Sequence, residues 1–165
     1  MKLINFILIF FIILTTLNIT FLVEISKDQE LNNFYFMGEE LSEDYLEIEK
    51  IHMQEVKDII NISLIINFIL LTSLFFLKNP EYKKIGISLI SISILLFIFS
   101  ISFKTFFTNF HLLIFNSENW LLPTGSKLIE NYPLDYFKNK FLLINFIILI
   151  SGLIFYFKDL IFSNS

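Results

Sequence analysis

Four apolar runs dominate this chain of 165 residues, and each comes near or exceeds the ~18 residues that mark a transmembrane helix. Leu3 to Val23 is 21 residues without a charge, and at ~1.5 Å rise per residue it reaches about 31 Å, enough to cross a hydrocarbon core. It is longer than a signal-peptide core, and no small-x-small cleavage site follows, so it reads as a retained helix. Ile59 to Leu77, Ile85 to Phe103 and Phe141 to Phe157 are the others. The expected fold is an all-α integral membrane protein: a single membrane domain, 1–165, with four transmembrane helices over about 3–23, 59–77, 85–103 and 141–157. The connections 24–58 and 104–140 would form a small extracytoplasmic cap, with short strands and an interfacial helix as candidate elements.

Lysine sets the expected orientation. Lys2, Lys78, Lys83, Lys84 and Lys158 belong to the termini and the short 78–84 loop. The positive-inside rule then puts both ends in the cytoplasm of a multi-pass plasma-membrane protein. Residues 24–57 are the counterweight, with ten acids against three lysines. No spacing in this segment matches a calcium loop, and a solvated face explains it. Cysteine is absent, which removes disulfides, thiolate metal sites and thioester intermediates. There is no repeat, nucleotide-binding loop or basic nucleic-acid patch. No span carries a charge, which argues against an ion or proton route through the membrane.

Within the first long connection, NNFYFMG (Asn32 to Gly38) is aromatic and closed by glycine, which suggests a strand or extended segment. Ser42, followed by Glu43 and Asp44, reads as a helix start. From there Tyr45, Ile48, His52, Glu55 or Val56, and Ile59 recur at spacings of three and four, on one stripe. If that helix is continuous, His52 lies about 10 Å above the hydrocarbon edge.

The second connection, 104–140, is too apolar for a solvated loop. Phe106, Phe107, Phe110, Leu112, Leu113 and Phe115 suggest a segment lying in the interface, and Trp120 suits the headgroup belt. Pro123 to Gly125 and Tyr132-Pro133 are turn signals. The segment holds His111, and the chain has only two histidines. Four spans place both on one side. Paired with Glu55 or Glu118, either could be fixed in one tautomer and act as a general base. A structural histidine bonded to a carbonyl is the plainer use. Zinc is a third, but no H-x-x-x-H motif is present, and no metal or cofactor is expected.

His52-Met53-Gln54-Glu55-Val56-Lys57 resembles the HMxDVK motif of lipoprotein intramolecular transacylases, small integral membrane proteins of bacteria. Phe110-His111, Phe115, Glu118, Trp120 and Pro123 resemble that family's second motif, roughly FHxxFFxxDxWxxDP. Leu128-Ile129 and Tyr132-Pro133 to Tyr136-Phe137 resemble its LIxxxPxxFF continuation. Glu55 and Glu118 stand where the motifs have Asp, and Leu122 replaces the acid before proline.

The resemblance implies an acyltransferase without cofactor whose partner is the N-terminus of a diacylglyceryl-modified lipoprotein, together with membrane lipid. It sets no copy number. The enzyme would move the sn-2 acyl chain to the lipoprotein's own N-terminal amine and leave a lyso-form product. On this reading His52 and His111 are catalytic, and Glu55, Lys57, Glu118 and Trp120 support them. The competing expectation is a non-enzymatic structural or accessory membrane protein with an acidic outer loop.

Overall fold

The computed structural model describes residues 2–162. Four long helices carry the apolar runs: α1 Leu3–Ile25, α3 Glu47–Phe76, α4 Tyr82–Ile101 and α7 Leu134–Phe162. Each is long and apolar enough to cross a membrane. Three short helices lie in the two long connections: α2 Gln29–Asn32, α5 Phe103–Ile114 and α6 Lys127–Asn131. Among the described residues there is no strand.

The candidate strand is a π-helical turn, Asn33–Met37, continuing α2 and closed by Gly38 in the left-handed region (φ 76°). A lone strand has no neighbour for its N–H and C=O groups, whereas a helical turn pairs them internally. Asp28 opens the segment by accepting from the N–H groups of Glu30 (3.0 Å) and Leu31 (3.1 Å). Lys57 Nζ donates to the Phe34 carbonyl and lies 4.5 Å from the centre of the Phe34 ring, pinning the turn to α3.

Ser42 does not cap α3, which begins at Glu47 after an extended Leu46. The carboxylate of Glu49 takes over that task. Its Oε2 accepts the Leu46 N–H at 2.7 Å. Ser42 instead gives its N–H to Glu30 (2.8 Å), and Tyr45 turns inward to 2% exposure.

In the bundle, α4 packs along α7 and α1 along α3, with α1 also touching α4 and α7. A Cβ on Gly86 would meet Tyr156 N at 2.5 Å and Gly152 O at 2.7 Å, so only glycine permits the α4–α7 crossing. Polar side chains bridge the helices in pairs: Ser63 with Asn18 (2.6 Å), Thr15 with Asn67 (3.0 Å) and Ser93 with Asn145 (2.7 Å). Such bonds contribute about 0.6 kcal/mol each on average. Asn61, on the same helix as Asn67, stays exposed.

The two long connections pack together at one end of the bundle, called the head below. Its core is built from Leu31, Phe34, Tyr35, Leu41, Tyr45, Met53 and Leu128. Glu24 fastens the head to α7, accepting from Lys140 (2.7 Å) and Tyr136 (2.9 Å). At the opposite end, buried Asn5 and Glu81 exchange two hydrogen bonds, of 2.7 and 3.0 Å.

Candidate functional site

The N-terminal part of α3 buries one stripe, Glu49, His52 and Met53, while Ile51 and Gln54 face outward. Spacings of three and four put these residues over successive turns, and the stripe faces the second connection. Glu49 is fully buried and bonds two helix starts at once. Its Oε1 accepts the Leu128 N–H of α6 at 2.7 Å while Oε2 holds Leu46. The beginning of α3 and the far part of the second connection are thereby locked to each other.

α5 supplies the second histidine. The helix breaks from α4 at Ser102 (φ −113°, ψ 53°) and carries Phe103, Phe107 and His111 on one face at intervals of four. Phe103 and Phe107 lie against Phe141 and Phe137 of α7 (5.5 and 5.2 Å between ring centres). That seats the helix and turns His111 inward.

The two imidazoles meet. Their ring centres are 6.1 Å apart with the planes inclined at 38°. Phe115, just past the end of α5, lies against both, 4.9 Å from His52 and 5.3 Å from His111. Phe107 (4.1 Å) and Trp120 (5.2 Å) complete the surround of His111. Both histidines are buried.

Their protonation follows from this setting. Burial holds both pKa values below the usual imidazole range, because an apolar surround disfavours the charged form. Proximity to His111 lowers His52 further, and the Glu55 carboxylate opposes that through its charge. His111 Nδ1 is 2.8 Å from the Phe107 carbonyl. A carbonyl only accepts, so Nδ1 carries the hydrogen and neutral His111 offers Nε2 as its lone pair.

Glu55 is held from the second connection. Ser117 Oγ donates to its Oε1 at 2.7 Å and Asn119 Nδ2 at 3.1 Å. Its Oε2 faces His52 Nδ1 at 3.7 Å, beyond hydrogen-bond reach, and both atoms are buried without a partner. An open cleft of about 330 Å³ adjoins this pair, with Glu55, Asp58 and Ile59 on the α3 side and Ile114 to Ser117 opposite. A second cleft of about 320 Å³, among Ser102, Lys104, Asp135 and Lys138, lies at the α4–α5 break.

The expected site residues divide accordingly. His52, His111, Glu55 and Trp120 come together. Lys57 does not join them, since its ammonium is engaged by the Phe34 carbonyl. Glu118 is exposed and makes no side-chain bond among the described residues; its neighbours Ser117 and Asn119 reach Glu55 instead. Leu122, at the position of the motif acid, packs against the head core. Ser117 and Asn119 were not expected. The only signal for them was two short polar side chains flanking an acid in a motif. Among the described residues, no group of three His, Asp or Glu side chains could hold a metal ion.

A family model described as lipoprotein intramolecular transacylase Lit matches residues 39–137, which contain both histidines together with Glu55, Phe107, Phe115 and Trp120 around them. No curated protein and no solved structure matches the chain.

Proposed function

The chain belongs to the lipoprotein intramolecular transacylase family, and from that premise we propose that it converts diacylglyceryl-cysteine lipoproteins to the lyso form. The sn-2 acyl chain leaves its glycerol ester and becomes an amide on the α-nitrogen of the same cysteine. One observation carries the reading: the only two histidines of the chain, far apart in sequence, meet in one apolar pocket with a carboxylate facing one of them.

The chemistry has two protons to handle, and two bases to handle them. An α-ammonium, with pKa ≈ 7.7–8.0, must lose one proton before its nitrogen can attack. His52, kept neutral by burial, takes it and releases it to solvent, with Glu55 stabilising the transient imidazolium. The amine then adds to the ester carbonyl. The tetrahedral intermediate carries a surplus proton on nitrogen and a negative charge on oxygen. As the C–O bond breaks, that proton must reach the departing glycerol oxygen. His111 accepts it at Nε2 and delivers it, leaving an amide and a free hydroxyl.

Nucleophile and electrophile belong to one molecule, so the enzyme supplies geometry and proton transfer, with no nucleophile of its own. That suits a chain without cysteine. Trp120 and Phe115 wall the pocket and keep its dielectric low, which strengthens the charge interactions within it.

The distribution of lysines supports an orientation with both termini cytoplasmic, and a lipoprotein substrate suits the plasma membrane. The head, 24–58 with 104–140, is then an extracytoplasmic cap on one membrane domain, and the site opens at the outer leaflet. The decisive experiment is mass spectrometry of a lipoprotein N-terminus from a host that lacks this activity, with and without the protein. N-acylated cysteine on a lysoglyceryl group is the expected product. Unchanged diacylglyceryl-cysteine in the presence of folded protein sinks the reading.

A further inference from the structure

The segment 115–120 touches every group of the site. Phe115 lies against both imidazoles and Trp120 against His111, while Ser117 and Asn119 reach across to α3. Those two polar contacts converge on one atom: Ser117 Oγ donates to Glu55 Oε1 at 2.7 Å, and Asn119 Nδ2 donates to the same oxygen at 3.1 Å. The Asn119 N–H in turn donates to Ser117 Oγ at 3.3 Å. A serine hydroxyl has a single proton, and with Asn119 on its acceptor side that proton goes to the carboxylate. Glu55 needs such a hold. Its side chain is 30% exposed and borders an open cleft, and a free carboxylate turns toward water, where its charge is best solvated. With Oε1 tied to the second connection, Oε2 faces His52 Nδ1 at 3.7 Å instead.

We propose that Ser117 and Asn119 are positioning residues of the reaction: by fixing Glu55 Oε1 they aim the Glu55 charge at His52 and so set the proton affinity of that base. Neither touches the reacting atoms; both act through Glu55. The catalytic meaning rests on the transacylase reading, whereas the effect on His52 does not. The groups that act on His52 are few. Burial and the neighbouring His111 of α5 lower its proton affinity, and Glu55 alone opposes them. The other charged groups nearby are engaged or turned away. Glu49 is bonded to Leu46 and Leu128, Asp58 accepts from Gln54, Lys57 is bound to the Phe34 carbonyl, and Glu118 is exposed. Loss of the clamp therefore has a definite sign. If the Glu55 charge swings away, His52 binds its proton more weakly. If the segment served only to keep water out, its loosening would relieve burial and His52 would bind its proton more tightly.

The chain has only two histidines, so NMR of the protein in detergent, with isotope-labelled histidine, follows each ring through a pH titration, and His111→Gln assigns them. The His52 midpoint should fall in Ser117→Ala and in Asn119→Ala. It should fall furthest in the double variant, by roughly half a pH unit or about a threefold change in proton affinity. Ser117→Thr keeps the hydroxyl and should return the wild-type midpoint. In a Glu55→Gln background, removing Ser117 and Asn119 should leave the midpoint where Glu55→Gln has put it, because the charge they aim is gone. An unchanged or raised midpoint in the double variant, or a further fall in the Glu55→Gln background, overturns the positioning role even if lyso-form lipoprotein is still made. The expected fall in a protein whose wild type makes no lyso-form lipoprotein overturns the transacylase reading and leaves the clamp standing.

Discussion

His52 and His111 present their imidazoles to each other with centres 6.1 Å apart, and Phe115 lies against both rings. The first histidine sits on a helix that continues into an apolar span, the second at the end of a helix that breaks from another. They are held by different means. A carboxylate faces His52 without touching it, whereas a backbone carbonyl fixes the tautomer of His111. This asymmetry suits two distinct proton-transfer tasks.

Removing either base should therefore cost activity without cost to the fold. His52→Ala is expected to lower lyso-form product by roughly 10²–10⁴-fold, the usual contribution of a general base. His111→Gln can still donate to the Phe107 carbonyl but cannot pass a proton on, so a loss in the same range is expected. Product is read by mass spectrometry and folding by thermal unfolding in detergent. A His52→Ala protein that keeps more than about a tenth of wild-type turnover rules out the mechanism.

Activity should have an acid limb below the ordinary imidazole pKa of ≈ 6.5, because burial lowers the pKa of both histidines. Both must be neutral to accept protons, so the rate rises with pH through that limb and its slope approaches two. Stability follows the same sign. The unfolded chain binds these protons more readily than the folded one, so stability falls as pH drops from about 6.5 towards the folded values. Glu55→Gln takes away a charge that raises the His52 pKa, and should move the acid limb to still lower pH. A limb that moves upward in this variant contradicts the assignment of Glu55.

Glu49 should prove structurally critical although it lies outside the chemistry. Replacing it with Leu leaves the buried Leu128 N–H without an acceptor, at roughly 1–3 kcal/mol, and frees the part-buried Leu46 N–H at the start of α3. Glu49→Gln offers one carbonyl oxygen for two donors and should fall between the two. Thermal unfolding in detergent orders the three proteins, and an unchanged midpoint for Glu49→Leu would show that the head is held otherwise.

The crossing of α4 on α7 allows no side chain at Gly86. In Gly86→Ala the new methyl group meets backbone atoms of Tyr156 and Gly152, which cannot move aside as a flexible side chain would. The helices must separate, and that loosens the Ser93–Asn145 bond further along the same interface. A clear fall in the unfolding midpoint is expected, with the His52–His111 pair preserved because Gly86 meets α7 at Gly152 and Tyr156, far along that helix from Phe137 and Phe141, where α5 is seated.

Much of this is legible in the sequence. Twenty or so consecutive apolar residues force a helix, because lipid offers no partners for backbone N–H and C=O groups. An even number of spans between the termini, with the two histidines in alternate connections, brings them to the same end. The helical period put His52 and Glu55 on one stripe of α3, and there they are. The start of that helix was not legible. Ser42 is a good cap by residue type, but its own N–H is taken by Glu30, and the helix start is fixed instead by Glu49, which bonds Leu46 and, in the other connection, Leu128. The aromatic segment at Asn33–Met37 misled in the same way, since residues suited to a strand coil into a π turn when no second strand lies beside them.

What the sequence determined by itself is therefore the bundle, the side on which the histidines stand and the motif they belong to. Those features follow from period and length, which act along one element at a time. Which polar side chain finds which partner was decided only by the tertiary structure. Lys57 went to the Phe34 carbonyl, Glu118 to solvent, and Glu55 to Ser117 and Asn119. A hydrogen bond reaches about 3 Å. Over so short a range, the path of the chain from Phe115 to Trp120 past α3 selects the partners, and residue type alone cannot.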